Sequence, residues 1–186
     1  MKKRRGLDWN LTLSAGENAH RELPVLAREF FVLGRTAAKA DASPVELHAF
    51  RLSAKRFRYT LELFTPMYGP GLKAKIELVR KIQGILGDRQ DCAVLCERLK
   101  RHDRAPGPLH ETLLKLSEKG RGLEEKFRRH WHDVFDAEGA EAAWMRYLSR
   151  APIPPRPRAA SGDSAVGGEQ ANAPARRAGA GNSDTG

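Results

Sequence analysis

The sequence predicts an all-α fold, an antiparallel helical bundle, and three observations lead there. Apolar residues recur at three- and four-residue steps through the middle of the chain. No segment sustains the two-residue alternation of a half-buried strand. Short Pro/Gly clusters separate the periodic stretches, so that consecutive helices must turn back on one another.

The elements follow in order. Leu23, Leu26, Phe30, Leu33 and Ala37 form one face of a first helix, with Pro24 read as lying near its start, where a missing N–H costs little. Ser43-Pro44-Val45-Glu46 combines an N-cap, a proline at the first helical position and a capping-box glutamate, and opens a second helix that runs to about Phe64. Pro66 and Gly69-Pro70-Gly71 make the turn. Leu72, Ile76, Val79, Ile82 and Leu86 define a third helix. Gly87 is expected to end or bend it, while Leu95 and Leu99 carry the apolar stripe on to about Arg101. After the loop Ala105-Pro106-Gly107-Pro108, a long helix is expected from about Leu109 to Phe135 and a short one from about Glu138 to Leu148.

Composition sets the domain plan. Residues 1–16 read as a basic, loose leader and 17–149 as one helical domain. Residues 150–186 read as a disordered tail, because Ala, Gly, Pro, Ser and Arg without leucine or aromatics cannot bury enough apolar surface to offset ordering entropy. No apolar run reaches the ~18 residues of a membrane span. Met1-Lys2-Lys3-Arg4-Arg5 is not followed by the apolar stretch of a secretory signal, so cytoplasmic residence is the expectation. Lys and Arg number 33 against 23 Asp and Glu, a formal +10, which calls for an anionic partner such as nucleic acid, an acidic surface or a phosphate polymer.

The second helix shows where that charge is concentrated. At about 100° per residue, Leu47, Phe50, Ala54, Phe57 and Leu61 share the core arc. His48, Arg51, Lys55, Arg58 and Tyr59 share a second arc, offset by roughly a third of a turn. Arg56 lies off that arc. Residues three and four apart are neighbours, so the cations form a like-charged ladder with Glu62 alone at its end to offset the repulsion. Arginine offers phosphate a planar fork, lysine a mobile point charge, Tyr59 a further hydrogen bond, and His48 a charge that depends on pH. A solvated helix face is the bland alternative for such a run.

Other constellations carry less. Cys92 and Cys96, four apart on one helix face, read as free thiols of a reducing compartment. With His102, or alongside His130 and His132, they lack the loop-joined ligand pairs of structural zinc, so no metal and no cofactor is expected. Phe127, Trp131, Trp144 and Tyr147 are spaced as packing residues; a single-strand nucleic-acid site would interleave aromatics with the cations, and the ladder carries only Tyr59. No phosphate-cradling Gly-rich loop and no nucleophile–base arrangement is evident, so catalysis is not expected.

The string Leu47-His48-Ala49-Phe50-Arg51-Leu52-Ser53-Ala54-Lys55-Arg56-Phe57-Arg58-Tyr59 resembles the signature of the CHAD family, the conserved-histidine α-helical domains. A second family-like segment follows, Arg80-Lys81-Ile82-Gln83-Gly84-Ile85-Leu86-Gly87 and then Asp91. The resemblance covers roughly residues 17–149. It implies one compact four-helix repeat, plus a flanking short helix, that binds inorganic polyphosphate along a basic surface and accompanies phosphate-handling enzymes or polyphosphate granules. It carries His48, Arg51, Lys55 and Arg58 over directly, Arg56 as a member of the basic pair, and Arg80 as the basic residue on the neighbouring helix.

Two departures matter. Many family members hold two such repeats with the ligand between them; this chain shows one, so either half a channel suffices or a homodimer rebuilds it. Gln90-Asp91-Cys92-Ala93 stands where the family commonly has Arg-Asp, one residue, Asp, and keeps only one of those charges. The Glu-x-Glu-x-Lys pattern of the triphosphate-tunnel enzymes that often neighbour CHAD domains is absent. The sequence therefore reads as a non-catalytic polyphosphate binder, with general nucleic-acid binding, or a scaffold role beside a phosphate-metabolising enzyme, as the alternatives.

Overall fold

A computed structural model of the chain describes residues 8–102 and 109–151, and among them every regular element is a helix. These are α1 (Ala15–Ala37), α2 (Pro44–Leu63), α3 (Thr65–Tyr68), α4 (Pro70–His102), α5 (Leu109–Val134) and α6 (Ala140–Leu148). Residues 1–7, 103–108 and 152–186 lie outside the described set; they take in the loop expected at 105–108, the first part of the stretch read as leader and nearly all of that read as tail.

Capping chemistry starts the first two helices. Ser14 and Ser43 each accept from the backbone N–H three residues on, and Glu17 and Glu46 each accept from the N-cap backbone N–H in return. These bonds satisfy helix-end donors and hold both carboxyls below their usual range. Because α1 begins at Ala15, Pro24 sits in its interior rather than near its start, buried against the core. Gly87 does not end the third long helix: α4 runs unbroken for 33 residues, about 50 Å. The turn around Pro66 is itself a single helical turn, α3, and Gly69, at φ 69°, makes the bend into α4.

Within the stretch read as leader, residues 8–14 pack onto α1. The fully buried Asn18 accepts from the Asn10 N–H at 2.8 Å and donates to the Asn10, Leu13 and Ser14 carbonyls, which satisfies a polar group that burial would otherwise penalise. Trp9 stacks on Phe64 at 6.1 Å.

The core is aromatic, and Phe30 is its hub. Its ring lies 4.9–5.7 Å from those of Phe31, Phe50, Phe57, Trp131 and Phe135, which joins α1 to α2 and to the end of α5. The fourth wall of the bundle is composite. The last turns of α5 supply the buried Phe127 and Trp131, and after a bend at Phe135 and Gly139 (φ 74°) α6 supplies Trp144 and Leu148. Asp136 accepts from the Trp131 indole N–H at 2.8 Å and from Arg35 at 3.2 Å, so the bend is tied to α1. Farther out, residues 93–101 and 109–126 contain no fully buried residue and pair chiefly with each other. Arg89–Glu124 at 2.8 Å clips this hairpin, and Cys92 and Cys96 on it are unbridged.

Close approach of α1 and α5 depends on Gly34. A Cβ there would stand 2.0–2.5 Å from three atoms of the Trp131 indole, a fixed ring with no room to retreat. Gly34→Ala should therefore lower stability by about 2–3 kcal/mol, seen as a melting point roughly 6–10 °C lower. Gly122→Ala, where a Cβ meets nothing within 4 Å of a helix interior, should hold or raise it.

Candidate functional site

The surface built by α2 and the adjoining side of α4 gathers most of the residues singled out in the sequence. Leu47, Phe50, Ala54, Phe57 and Leu61 are all buried, which fixes the roll of α2 about its axis. That roll leaves His48, Lys55 and Tyr59 exposed and Arg51 and Arg58 partly so, over about 15 Å of helix from His48 to Arg58.

The ladder has two unlike ends. Among the described residues, His48 and Arg51 have no hydrogen-bond or ion-pair partner, and Lys55 has only the Tyr59 ring, 5.8 Å from its Nζ. Arg51 and Lys55, with His48 beside them on the same face, are thus without a compensating carboxylate among the described residues. At the other end Arg58 is enclosed: its side chain is 17% exposed, its guanidinium lies 4.4 Å from the Tyr59 ring centroid, and its Nη1 donates to Glu62 at 2.7 Å. Its Nε is buried with no hydrogen-bond partner. Arg80 reaches across from α4 and donates through Nη2 to the same Glu62 oxygen at 3.1 Å, while its Nη1 bonds Glu77. Arg58, Glu62 and Arg80 therefore form one cluster that joins α2 to α4.

Arg56 is not part of this face. It turns toward α1, where Glu29 lies 3.8 Å away, and it meets the ladder only across a shallow groove that it lines with Leu52, Lys55, Tyr59, Thr60 and Leu63. The family-like signature includes it, but its helical phase points it elsewhere, and the structure follows the phase.

The α2 face offers planar and point-charge donors to phosphate or carboxylate oxygens, and among the described residues no group of three or more His, Cys, Asp or Glu is placed to hold a metal ion. Phe127, Trp131 and Trp144 are core residues and so take no part in the surface. No described helix is long and apolar enough to cross a membrane.

Two features escaped sequence reasoning. Glu62 looked like a lone counter-charge; that it bridges two helices depends on the α2–α4 packing. Lys75 lies 4.3 Å from the Trp144 ring and 5.0 Å from that of Tyr147, and burial pushes its ammonium below the usual lysine range. Its setting exists only because α6 folds back, so no local pattern announces it.

Residues 9–100 match the family model described as CHAD domain, and the chain belongs to that family. The match starts at Trp9, inside the stretch read as leader, and it contains all seven candidate residues; α5 and α6 lie beyond it. No curated protein and no solved structure matches the chain.

The two arginines of the bridged cluster differ in accessibility, 52% for Arg80 against 17% for Arg58. Limited modification with phenylglyoxal, mapped by mass spectrometry, should tag Arg80 well before Arg58. Equal labelling would mean that Arg58 is not enclosed as described.

Proposed function

We propose that this member of the CHAD family is a non-catalytic binder of phosphate polyanions, with inorganic polyphosphate as its ligand, and that the α2 face is its working surface. The observation that carries the reading is the uncompensated run His48, Arg51 and Lys55, continued by Arg58 and by Arg80 from the adjoining helix. Neighbouring like charges on a helix cost a few tenths of a kcal/mol per pair. A polyanion laid along the face removes that cost and gains charge-assisted hydrogen bonds. Phosphate recognition needs no stacking platform, and Tyr59, already covered on one side by Arg58 and approached by Lys55, is the only aromatic on the ladder. Phosphate contacts dominate such binding, so affinity falls steeply with salt.

Family membership supports the choice of polyphosphate over other polyanions, and a cytoplasmic, granule-associated setting fits it. A phosphate-metabolising enzyme as partner, and pairing of two chains to enlarge the surface, belong to the same proposal.

Reversing Arg51 and Lys55 together, R51E/K55E, tests the assignment. Two charge-assisted contacts at about 1.5–3 kcal/mol each correspond to a loss of at least about 100-fold in polyphosphate affinity. Helix content by circular dichroism should be unchanged, because neither side chain enters the core. Retained affinity in a folded variant would place the binding surface elsewhere.

A further inference from the structure

We infer that Glu62 is a resident anion on this face: its carboxylate fills the seat between Arg58 and Arg80, and a polyphosphate chain must displace it to engage those two arginines. The inference rests on the polyphosphate reading above and adds to it a built-in competitor that weakens binding, most consequentially for short chains.

The geometry is specific. One oxygen, Oε1 of Glu62, accepts from Arg58 Nη1 at 2.7 Å and from Arg80 Nη2 at 3.1 Å, so guanidiniums from two different helices converge on a single acceptor. Two forks aimed at one point are the arrangement that a non-bridging phosphate oxygen takes up. Arg58 has donors to spare: its Nε is buried without a hydrogen-bond partner, and Glu62 is its only carboxylate among the described residues. Arg80 would keep Glu77 after Glu62 left. Glu62 itself has no other partner among the described residues and is a third exposed, so its side chain can swing to water.

The energetic comparison favours displacement by a long chain. A partly exposed ion pair contributes about 0–1 kcal/mol, far less than several phosphate contacts made together. A long chain held by His48, Arg51 and Lys55 can meet that cost from contacts already made, and then presents its next phosphates to Arg58 and Arg80. A short anion has no such reserve. The open end of the ladder captures the chain, and the closed end admits only a ligand that reaches it.

A purely structural role makes the opposite prediction. If Glu62 only braced α2 against α4 and held the arginines in place, neutralising it would loosen the cluster, and affinity would stay level or fall.

The experiment compares the full-length wild type with Glu62→Gln and Glu77→Gln by calorimetric titration with long-chain polyphosphate and with tripolyphosphate, at fixed near-physiological salt. Circular dichroism melts verify the fold. Glutamine keeps the size and an acceptor oxygen but removes the charge. Glu77→Gln removes an equal charge from a residue that pairs with Arg80 alone, and so measures the general electrostatic gain. The expected result is tightening of about fivefold for both ligands in Glu62→Gln, against less than about twofold in Glu77→Gln. Tripolyphosphate binding too weak to detect in the wild type and measurable in Glu62→Gln would agree. A wild type that binds polyphosphate while Glu62→Gln binds no tighter, or while Glu77→Gln gains as much, would overturn the resident-anion inference and leave the function standing. Failure of all three proteins to bind polyphosphate would overturn the function, and the inference with it.

Discussion

The packing of Phe50 and Phe57 against Phe30 is the contact on which the rest of the surface depends. The two rings lie 5.2 and 4.9 Å from Phe30 and lock the roll of α2 against α1. A helix has one rotational freedom about its axis, and once the core arc is fixed every other side chain has its bearing. His48, Arg51 and Lys55 therefore stand in line at the surface, placed by the core arc and, among the described residues, by no ion pair of their own. Trp131 seats this arrangement from the far side: it touches Phe30 and Phe50 and reaches α1 only because Gly34 has no side chain.

The cations on this scaffold differ in their partners. Arg56 has Glu29, Arg35 has Asp136 and Glu141, Arg89 has Glu124 and Arg101 has Glu97, whereas among the described residues His48, Arg51 and Lys55 have no carboxylate. Arg51 and Lys55 thus carry charge that no carboxylate among the described residues offsets, in a row beside the core. The face then passes from open to occupied over about three turns, ending where Arg58, Glu62 and Arg80 meet.

Much of this was legible in the sequence, for identifiable reasons. The α2 face could be read because core arc, basic arc and both helix ends lie within some twenty consecutive residues, and because Ser43-Pro44-Val45-Glu46 states its start in local chemistry. Arg80 could be paired with that face only through the family resemblance. What stayed hidden needed tertiary contacts. Pro24 read as an early helical residue because nothing apolar marked the turns before Leu23, yet Ser14 and Glu17 cap the helix well upstream and the buried Asn18 secures it. Gly87 read as an end or a bend because glycine is a weak helix former, yet the pairing of α4 with α5 carries the helix past it. The composite fourth wall was equally invisible, since α6 has meaning only where Tyr68 donates to the Leu148 carbonyl and Tyr147 donates back to the Tyr68 carbonyl.

The central claim is that this surface recognises polyphosphate rather than negative charge in general. Its most direct test is competition: long-chain polyphosphate bound to the wild-type chain, challenged with single-stranded DNA and RNA at equal phosphate concentration across a salt series. The account predicts that polyphosphate holds its place at near-physiological salt and that the nucleic acids displace it poorly. Equal displacement by nucleic acid at equal phosphate would contradict it, and would make the α2 face a general polyanion surface.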